Sequence, residues 1–491
     1  MYLIGRKPEK KVLLDILESD KSELVAVLGR RRVGKTYLVK SVYKDSTLFH
    51  MTGLYKSTVE EHMDRFAKRL GDAYGLDIAT SPHKNWFEAF DMLQTLIEKQ
   101  KKKSKKIIFL DEFPWMATNK SKFLTAFTDF WNSFAVDRKD LIVVICGLST
   151  SWMIKKVLKN KGGLHNRVTK RIALEPFSLA ETEQFLRKKG IVIGRPDIVQ
   201  LYMALGGIPY YLDMMEKGES TVQAMDRICF DKAAPLYFEY DELFSSLFNN
   251  SARHQKIIQI LANHPRGMTR ENLLTATDFQ SGGGFTDLLD ELIYSGFITA
   301  DIPFGKSNNE SILKLRDFYT LFYHKYIKPL HGRSVGIWTK LATTPTWKSW
   351  SGLAFENVCF YHKASILKSL KIDGILNTIH SWVHRGNDEM QGAQIDLLID
   401  RADNIINICE IKYNHTPYII TADYTQNIKT KLASFSHFTK TKKTLFVTFI
   451  TASGIQSNKY AQELVQNEVD LNDLFLWMEV NKILEKTSYY T

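Results

Sequence analysis

Apolar positions in this chain fall into two patterns. Leu24-Val25-Ala26-Val27-Leu28, Ile107-Ile108-Phe109-Leu110 and Leu141-Ile142-Val143-Val144-Ile145 are short unbroken apolar runs. Such runs suit strands buried on both faces, as in a parallel sheet. Ahead of the first, Val12-Leu13-Leu14-Ile16-Leu17 keeps helical spacing and predicts an amphipathic packing helix. From about Arg253 the pattern changes to short helices. Ile257-Ile258-Ile260-Leu261 forms one apolar face, Met268–Leu274 a second helix with Thr269 as N-cap, and Leu288-Leu289-Leu292-Ile293 a third. Phe297-Ile298-Thr299 and Ile312-Leu313-Lys314-Leu315 then suit two strands joined by a loop. Near the C-terminus, Ile395–Asp400 and Ile405–Lys412 flank the polar stretch Arg401-Ala402-Asp403-Asn404, which predicts a hairpin.

Chemistry enters at the ends of the apolar runs. Gly29-Arg30-Arg31-Arg32-Val33-Gly34-Lys35-Thr36 follows the first run and precedes Tyr37-Leu38-Val39, which starts a helix. This is the G-x-x-x-x-G-K-T phosphate-cradling loop in the strand–loop–helix setting it requires. The two glycines let backbone N–H groups converge on an anion, and the helix dipole favours the same phosphates. Lys35 is expected on the β- and γ-phosphates of ATP and Thr36 on Mg²⁺. Asp111 and Glu112 end the second run. Asp111 is placed to hold the Mg²⁺ shell, and Glu112 to orient or deprotonate the attacking water.

Three further positions carry two readings each. Ser149, after the third run, either senses the γ-phosphate or caps the helix beginning at Trp152. Arg167, with Arg171 in reserve, is read on a loop, either stabilising transition-state charge within or across subunits, or pairing at the surface. The lysine run Lys99–Lys106 reads as a solvated connection rather than a binding patch. Gly206-Gly207-Ile208-Pro209 predicts a fixed bend between helices.

Gly5-Arg6, the arginine-rich loop, Leu110-Asp111-Glu112-Phe113-Pro114, Glu175-Pro176-Phe177-Ser178 and Gly206-Gly207-Ile208-Pro209 occur in that order. As a set they resemble archaeal and bacterial P-loop ATPases of the AAA+ and STAND-related group. The resemblance covers about the first half of the chain. It implies a nucleotide-binding core, a helical lid, a bend with Pro209 near the adenine, and assembly into homo-oligomers. One departure is Leu148-Ser149-Thr150, where relatives often show two serines in a row.

The middle helices resemble a winged helix-turn-helix. Its third helix carries Asp287, Asp290 and Glu291, which repel phosphate, so the module reads as a packing or partner module ahead of a DNA reader. In the C-terminal hairpin, residues 396 and 410 are centred on 403, so regular antiparallel pairing sets Asp396 opposite Glu410. Cβ atoms ~5 Å apart on one face suit a shared Mg²⁺. Lys412, two residues on, points to the same face and can stabilise a charged phosphate. Upstream, Gly352-Leu353-Ala354-Phe355-Glu356 starts a helix, and Glu356 is a further carboxylate for the metal. This set resembles the PD-(D/E)XK nuclease fold over roughly Trp350 to Phe438. The resemblance adds Gln426, with Tyr424, as a polar site residue on the next helix. Relatives often carry Glu where this chain has Gln394, which is expected on the opposite face. His380 and His384 read as surface residues of a strand.

The expected architecture is therefore α/β. It comprises a parallel-sheet P-loop ATPase core (1–180), a helical lid (181–245), a winged-helix module (246–335) and a C-terminal α/β PD-(D/E)XK-like domain (341–491). Over 491 residues the net charge is +12, which favours acidic partners and nucleic acid first, with DNA the expected form. The four cysteines, Cys146, Cys229, Cys359 and Cys409, form no C-x-x-C pair; a zinc knuckle or disulfide framework is not expected and a reducing cytoplasm fits. The first residues lack a signal-peptide core, and no apolar run approaches the ~18 residues of a membrane span. The function expected is an ATPase controlling a Mg²⁺-dependent nuclease. The alternative is a signalling ATPase switch whose nuclease-fold domain only binds.

Overall fold

The computed structural model describes residues 3–75, 84–100, 104–118, 120–159, 162–164, 166–248, 250–331 and 336–476. These divide into two compact units. One runs to Glu175, and the other starts at Pro176, except that Ser246–Phe248 group with the first.

The first unit is built on a five-stranded sheet: β1 (Glu23–Leu28), β2 (Thr47–Thr52), β3 (Lys106–Asp111), β4 (Leu141–Cys146) and β5 (Lys170–Ala173). The order is β2-β3-β4-β1-β5 and every pairing is parallel. Every residue of β1, β3 and β4 is buried, which explains their unbroken apolar runs. β1 lies between β4 and β5, so its C-terminal end sits beside theirs, and the ends of β3 and β4 also adjoin. Ligands in open parallel sheets bind at this end.

The end of the lysine run is structural rather than solvated. Lys106 is the buried first residue of β3 and pairs with Asp140, and Lys105 Nζ donates to the carbonyls of Lys21 and Lys139 at 2.7 Å each. Residues 101–103 of the run lie outside the described residues.

The second unit holds three regions. The first is helical and includes Leu179–Lys188, opened by a Ser178/Glu181 capping box, and Arg195–Leu205. Phe177 N donates to Gly207 O at 2.6 Å and Tyr202 Oη to Phe177 O at 2.8 Å. The backbones are so close that a Cβ at Gly207 would lie 1.9 Å from that carbonyl, so only glycine fits. Pro209 opens the short helix Pro209–Leu212.

The second region has helices Ser251–Ala262, Arg270–Thr277 (with Thr269 as its N-cap) and Gly283–Tyr294. Its antiparallel sheet joins β6 (Met268–Thr269), β7 (Ile298–Asp301) and β8 (Ile312–Leu315) in the order β6-β8-β7. The two-stranded expectation missed β6, which is only two residues long.

The third region starts with helix Pro345–Tyr361, followed by β9 (Asn377–Gly386), β10 (Gln391–Arg401) and β11 (Ile405–Lys412). Helix Ala422–Thr439, β12 (Thr444–Thr451) and β13 (Asn467–Val469) complete it. The sheet order is β13-β12-β11-β10-β9, antiparallel from β9 to β11 and parallel beyond. His380 and His384 lie in β9. His384 stacks on Phe438, ring centroids 3.6 Å apart.

Candidate functional site

The loop after β1 takes the shape its glycines permit. Gly29 has φ +138, and a Cβ there would meet Leu174 O at 2.3 Å; Gly34 has φ +93 and leads into helix Lys35–Tyr43. Between them Arg30 and Val33 are buried, Arg31 is half-buried, and half-buried Arg32 takes a left-handed φ of 70°. Tyr37 is half-buried in the first turn of the helix. Lys35 is 5% exposed, and its ammonium donates to Gly29 O at 2.7 Å and Arg30 O at 2.9 Å. Burial lowers its pKa, against the charges of Cys146, Glu112 and Asp111, which favour the ammonium.

Asp111 ends β3 and is held from three directions. Thr36 Oγ1 donates to Oδ2 at 2.9 Å, while Cys146 Sγ (2.7 Å) and Glu112 N (3.0 Å) donate to Oδ1. Burial, then Asp111, pushes the Cys146 thiol up, so it stays a donor. A hydroxyl and a carboxylate oxygen in contact, beside a buried ammonium, form an all-oxygen donor set for a hard divalent ion next to a phosphate. The residues present therefore fit ATP and Mg²⁺: the loop and Lys35 for the phosphates, Thr36 and Asp111 for the ion.

Glu112 sits one residue on, at φ 49° and ψ 44°. A left-handed glutamate costs on the order of 1–3 kcal/mol, and such strain collects at functional sites. Its Oε2 accepts from Leu148 N at 2.8 Å. Burial raises its pKa to about 7, opposed by Lys35. A base with that pKa is half-ionised near neutrality, where general-base catalysis is most effective. Because the raised pKa keeps the acid form below about 7, kcat/KM for ATP should show an acid limb with its midpoint near there. Steady-state rates from pH 5.5 to 8.5 check this; a flat profile across that range rules out Glu112 as the titrating base.

Ser149 Oγ accepts from Trp152 N at 3.4 Å, so it caps helix Thr150–Met153. The strand-end hydroxyl that touches the phosphate loop is the neighbouring Thr150, whose Oγ1 donates to Gly29 O at 3.2 Å. Arg171 is not on a loop: it lies in β5, paired with Ala26. Arg167 is exposed in a turn. Arg6, buried and left-handed, donates to Val33 O at 3.0 Å and Glu175 O at 2.6 Å. It thus ties the loop to the residue two beyond β5. Sequence reasoning missed the roles of Arg6, Cys146 and Thr150, although each stands in a stretch it had singled out.

The C-terminal carboxylates are arranged differently from the hairpin expectation. β10 and β11 do pair around 403, with Leu397 opposite Cys409 and Leu398 opposite Ile408. However, β10 shifts register against β9 between Ile395 and Leu398. Those two residues pack together with Ile406, Ile408 and Phe435, although residues three apart in a regular strand face opposite ways. Asp396 lies inside the irregularity. It is exposed and accepts from Gln394 Nε2 at 2.6 Å, so Gln394 shares its face instead of opposing it. Being two residues apart gives the reason.

Glu410, 6% exposed, lies on the Ile408 face against helix Ala422–Thr439. Tyr424 Oη donates to it at 2.6 Å, Lys431 forms an ion pair with it, and Lys412 Nζ is 3.9 Å away. The direct Asp396–Glu410 pair is therefore corrected: the irregularity turns Asp396 toward Gln394 while Glu410 faces the helix. Gln426 is exposed on another side of that helix, and Lys431 with Tyr424 takes the place expected for it.

Glu356 on helix Pro345–Tyr361 has its pKa raised to about 8. Burial is the main cause and Asp396 the next, with Lys314, Arg316 and Lys412 opposing. Asp396 thus neighbours Glu356 electrostatically. Among the described residues no three His, Cys, Asp or Glu side chains converge as a metal cage. The four cysteines are buried free thiols. No described helix is long and apolar enough to cross a membrane.

Residues 3–215 match a family model described as an ATPase domain predominantly from Archaea. An uncharacterised protein of Methanocaldococcus jannaschii is 25% identical over 396 residues, covering 78% of this chain and 82% of that protein. Among solved structures, the Walker-type ATPase of Pyrococcus abyssi is 17% identical with a TM-score of 0.49, covering 66% of this chain and 96% of that one. The ORC2 protein of Aeropyrum pernix is 14% identical with a TM-score of 0.38, covering 70% and 97%. The family match and the geometry around Lys35 and Asp111 make the N-terminal part of this chain a P-loop ATPase domain.

Proposed function

We propose that ATP binding and hydrolysis in the N-terminal unit set the state of a C-terminal domain of PD-(D/E)XK type that engages nucleic acid. The observation that carries this reading is the Thr36–Asp111 contact beside Lys35 and Glu112. Bound Mg²⁺ would neutralise charge on the transferred phosphoryl group. The loop amides and Lys35 would orient the phosphates, Thr36 and Asp111 would hold the ion, and Glu112 would take the proton of the attacking water. Arg167, exposed in its turn, is the arginine available to a neighbouring subunit's γ-phosphate. The excess of positive charge supports nucleic acid as the partner.

The test measures DNA and RNA binding by the full chain with ADP, with ATP, and with Glu112→Gln plus ATP, across a salt series. Affinity should differ about tenfold or more between nucleotide states, equivalent to 1.4 kcal/mol of coupling. Equal affinity in all three states would sink the switch.

A second reading, metal-dependent cleavage by the C-terminal domain, is favoured by one observation. Glu356 and Asp396 are close enough for Asp396 to raise the Glu356 pKa, and Lys412 acts on the same carboxyl. Incubation with Mg²⁺ or Mn²⁺ and nucleic acid, with and without ATP, decides it. Cleavage that disappears in Asp396→Ala and Lys412→Ala supports the reading; no cleavage under any condition, or cleavage untouched by these variants, discards it.

A further inference from the structure

A divalent ion on the C-terminal sheet would need the Glu410 carboxylate free to bind it. β11 and β12 pair in parallel without a shift from Ile405 to Lys412, and Glu410 lies beside Phe449. Alternation therefore sets Glu410 and Lys412 on the Phe449 face, which packs on Ile428 and Tyr424 of helix Ala422–Thr439. Tyr424 and Lys431 stand seven residues apart on that helix, close to two turns, so both project onto the same face.

Glu410 is thereby held at both oxygens. Lys431 Nζ donates to Oε1, and Tyr424 Oη donates to Oε2 at 2.6 Å. The Glu410 side chain is 7% exposed and that of Lys431 17%. Lys412 is placed differently. Its Nζ is 3.9 Å from Oε2, past hydrogen-bond range, and lies 5.0 Å and 5.8 Å from the ring centroids of Tyr424 and Tyr418. Magnesium takes oxygen ligands at about 2.0–2.1 Å in near-octahedral geometry. An ion that close to Oε1 would sit against the Lys431 ammonium, and like charges so near repel strongly away from bulk water. The residues present do not fit a divalent ion on Glu410.

We propose that Lys431 stands where a nuclease of this fold would hold its ion, and that the Glu410 cluster is a metal-free seat for a phosphate of nucleic acid, contacted by Lys412. One carboxylate and two ammoniums leave one positive charge over, which matches the single negative charge of a phosphodiester. Lys431 is engaged by Glu410. Lys412, 29% exposed and set over two tyrosine rings, is the ammonium that an incoming phosphate can reach. The identity of the ligand rests on the reading of this domain as nucleic-acid-engaging; the exclusion of the ion does not.

The first arm of the test titrates Mn²⁺ into the nucleotide-free full chain and follows the EPR signal of the free ion. Wild type and Glu410→Gln should bind it equally, because no ion depends on that carboxylate. Lys431→Met keeps the apolar stem and frees Oε1, so it should bind Mn²⁺ about tenfold more tightly, and adding Glu410→Gln should abolish that gain. An ion bound by wild type and lost in Glu410→Gln overturns the proposal. So does a folded Lys431→Met, with native amide exchange in β10, β11 and β12, that gains nothing. The second arm needs no variant at Glu410 or Lys431. DNA binding by wild type should be no tighter in Mg²⁺ than in EDTA at matched ionic strength; binding that requires the ion overturns the proposal. Lys412→Met, which leaves the Glu410–Lys431 pair in place, should weaken binding about tenfold and lower the salt slope by about one. Wild-type affinity in Lys412→Met discards the phosphate seat. If wild type binds no nucleic acid at all, the manganese result still decides the exclusion of the ion, and the nucleic-acid reading is what fails.

Discussion

Lys35→Ala should lower ATP hydrolysis on the order of a thousandfold, a loss of about 4 kcal/mol in transition-state stabilisation. Lys35 is a buried cation whose ammonium is held by two carbonyls of its own loop, 2.7 and 2.9 Å away. Those carbonyls are weaker partners than a phosphate oxygen, whose full negative charge adds direct Coulomb attraction to the hydrogen bond. Burial has also reduced the cost of taking this charge out of water at the moment of binding, because that cost is already met in the fold. Alanine removes the charge but not the glycines or the helix dipole, so some nucleotide affinity should persist while hydrolysis collapses. Fluorescent-nucleotide titration and phosphate release, measured on the same preparation, separate the two. A variant that hydrolyses ATP at the wild-type rate would remove Lys35 from the site. Thermal unfolding should shift little, since the loss of two hydrogen bonds is set against relief of a desolvated charge.

How much of this site was legible in sequence depended on distance along the chain. The phosphate loop was read in full because its chemistry is packed into eight consecutive residues and its flanks declare a strand and a helix. Asp111 and Glu112 followed, since an apolar run ending in two acids delivers them to the sheet's ligand-binding end. Arg6 shows the opposite case. It reaches Val33 and Glu175 across 27 and 169 residues, and nothing local in Gly5-Arg6 says where that guanidinium goes. Thr150 and Ser149 could not be told apart, because one step along the chain decides which hydroxyl caps the helix and which meets Gly29.

In the C-terminal half the strand geometry departed from expectation at one place. Pairing centred on 403 is correct from Leu397 onward, but the argument assumed a regular strand out to Asp396, and one irregularity is enough to change a face. No glycine or proline marks it; Gln394-Ile395-Asp396-Leu397 reads as ordinary strand. Lys431, by contrast, was recoverable. It lies seven residues after Tyr424 and four before Phe435, on the buried side of a helix, whereas Gln426 is two residues from Tyr424 and cannot share its face.

Glu112→Gln should retain ATP binding while slowing hydrolysis by about 10²–10⁴, the usual contribution of a positioned general base. The substitution is close to isosteric, which matters at a left-handed residue, where the surroundings must hold a strained backbone. Glutamine also keeps a carbonyl oxygen for the Leu148 amide now 2.8 Å from Oε2, so the side chain can stay where it is. What is lost is the ability to take a proton. Two readouts distinguish this from a positional effect. The residual activity should lose the acid limb near pH 7, because the group with the raised pKa is gone. Glu112→Ala, which abandons the Leu148 contact as well, should be less stable than Glu112→Gln yet no slower in the chemical step, since neither has a base. Single-turnover hydrolysis with enzyme in excess measures that step apart from product release. If Glu112→Gln turns over ATP as fast as wild type at pH 8, the proton goes elsewhere, and the strain at residue 112 serves only to orient Leu148.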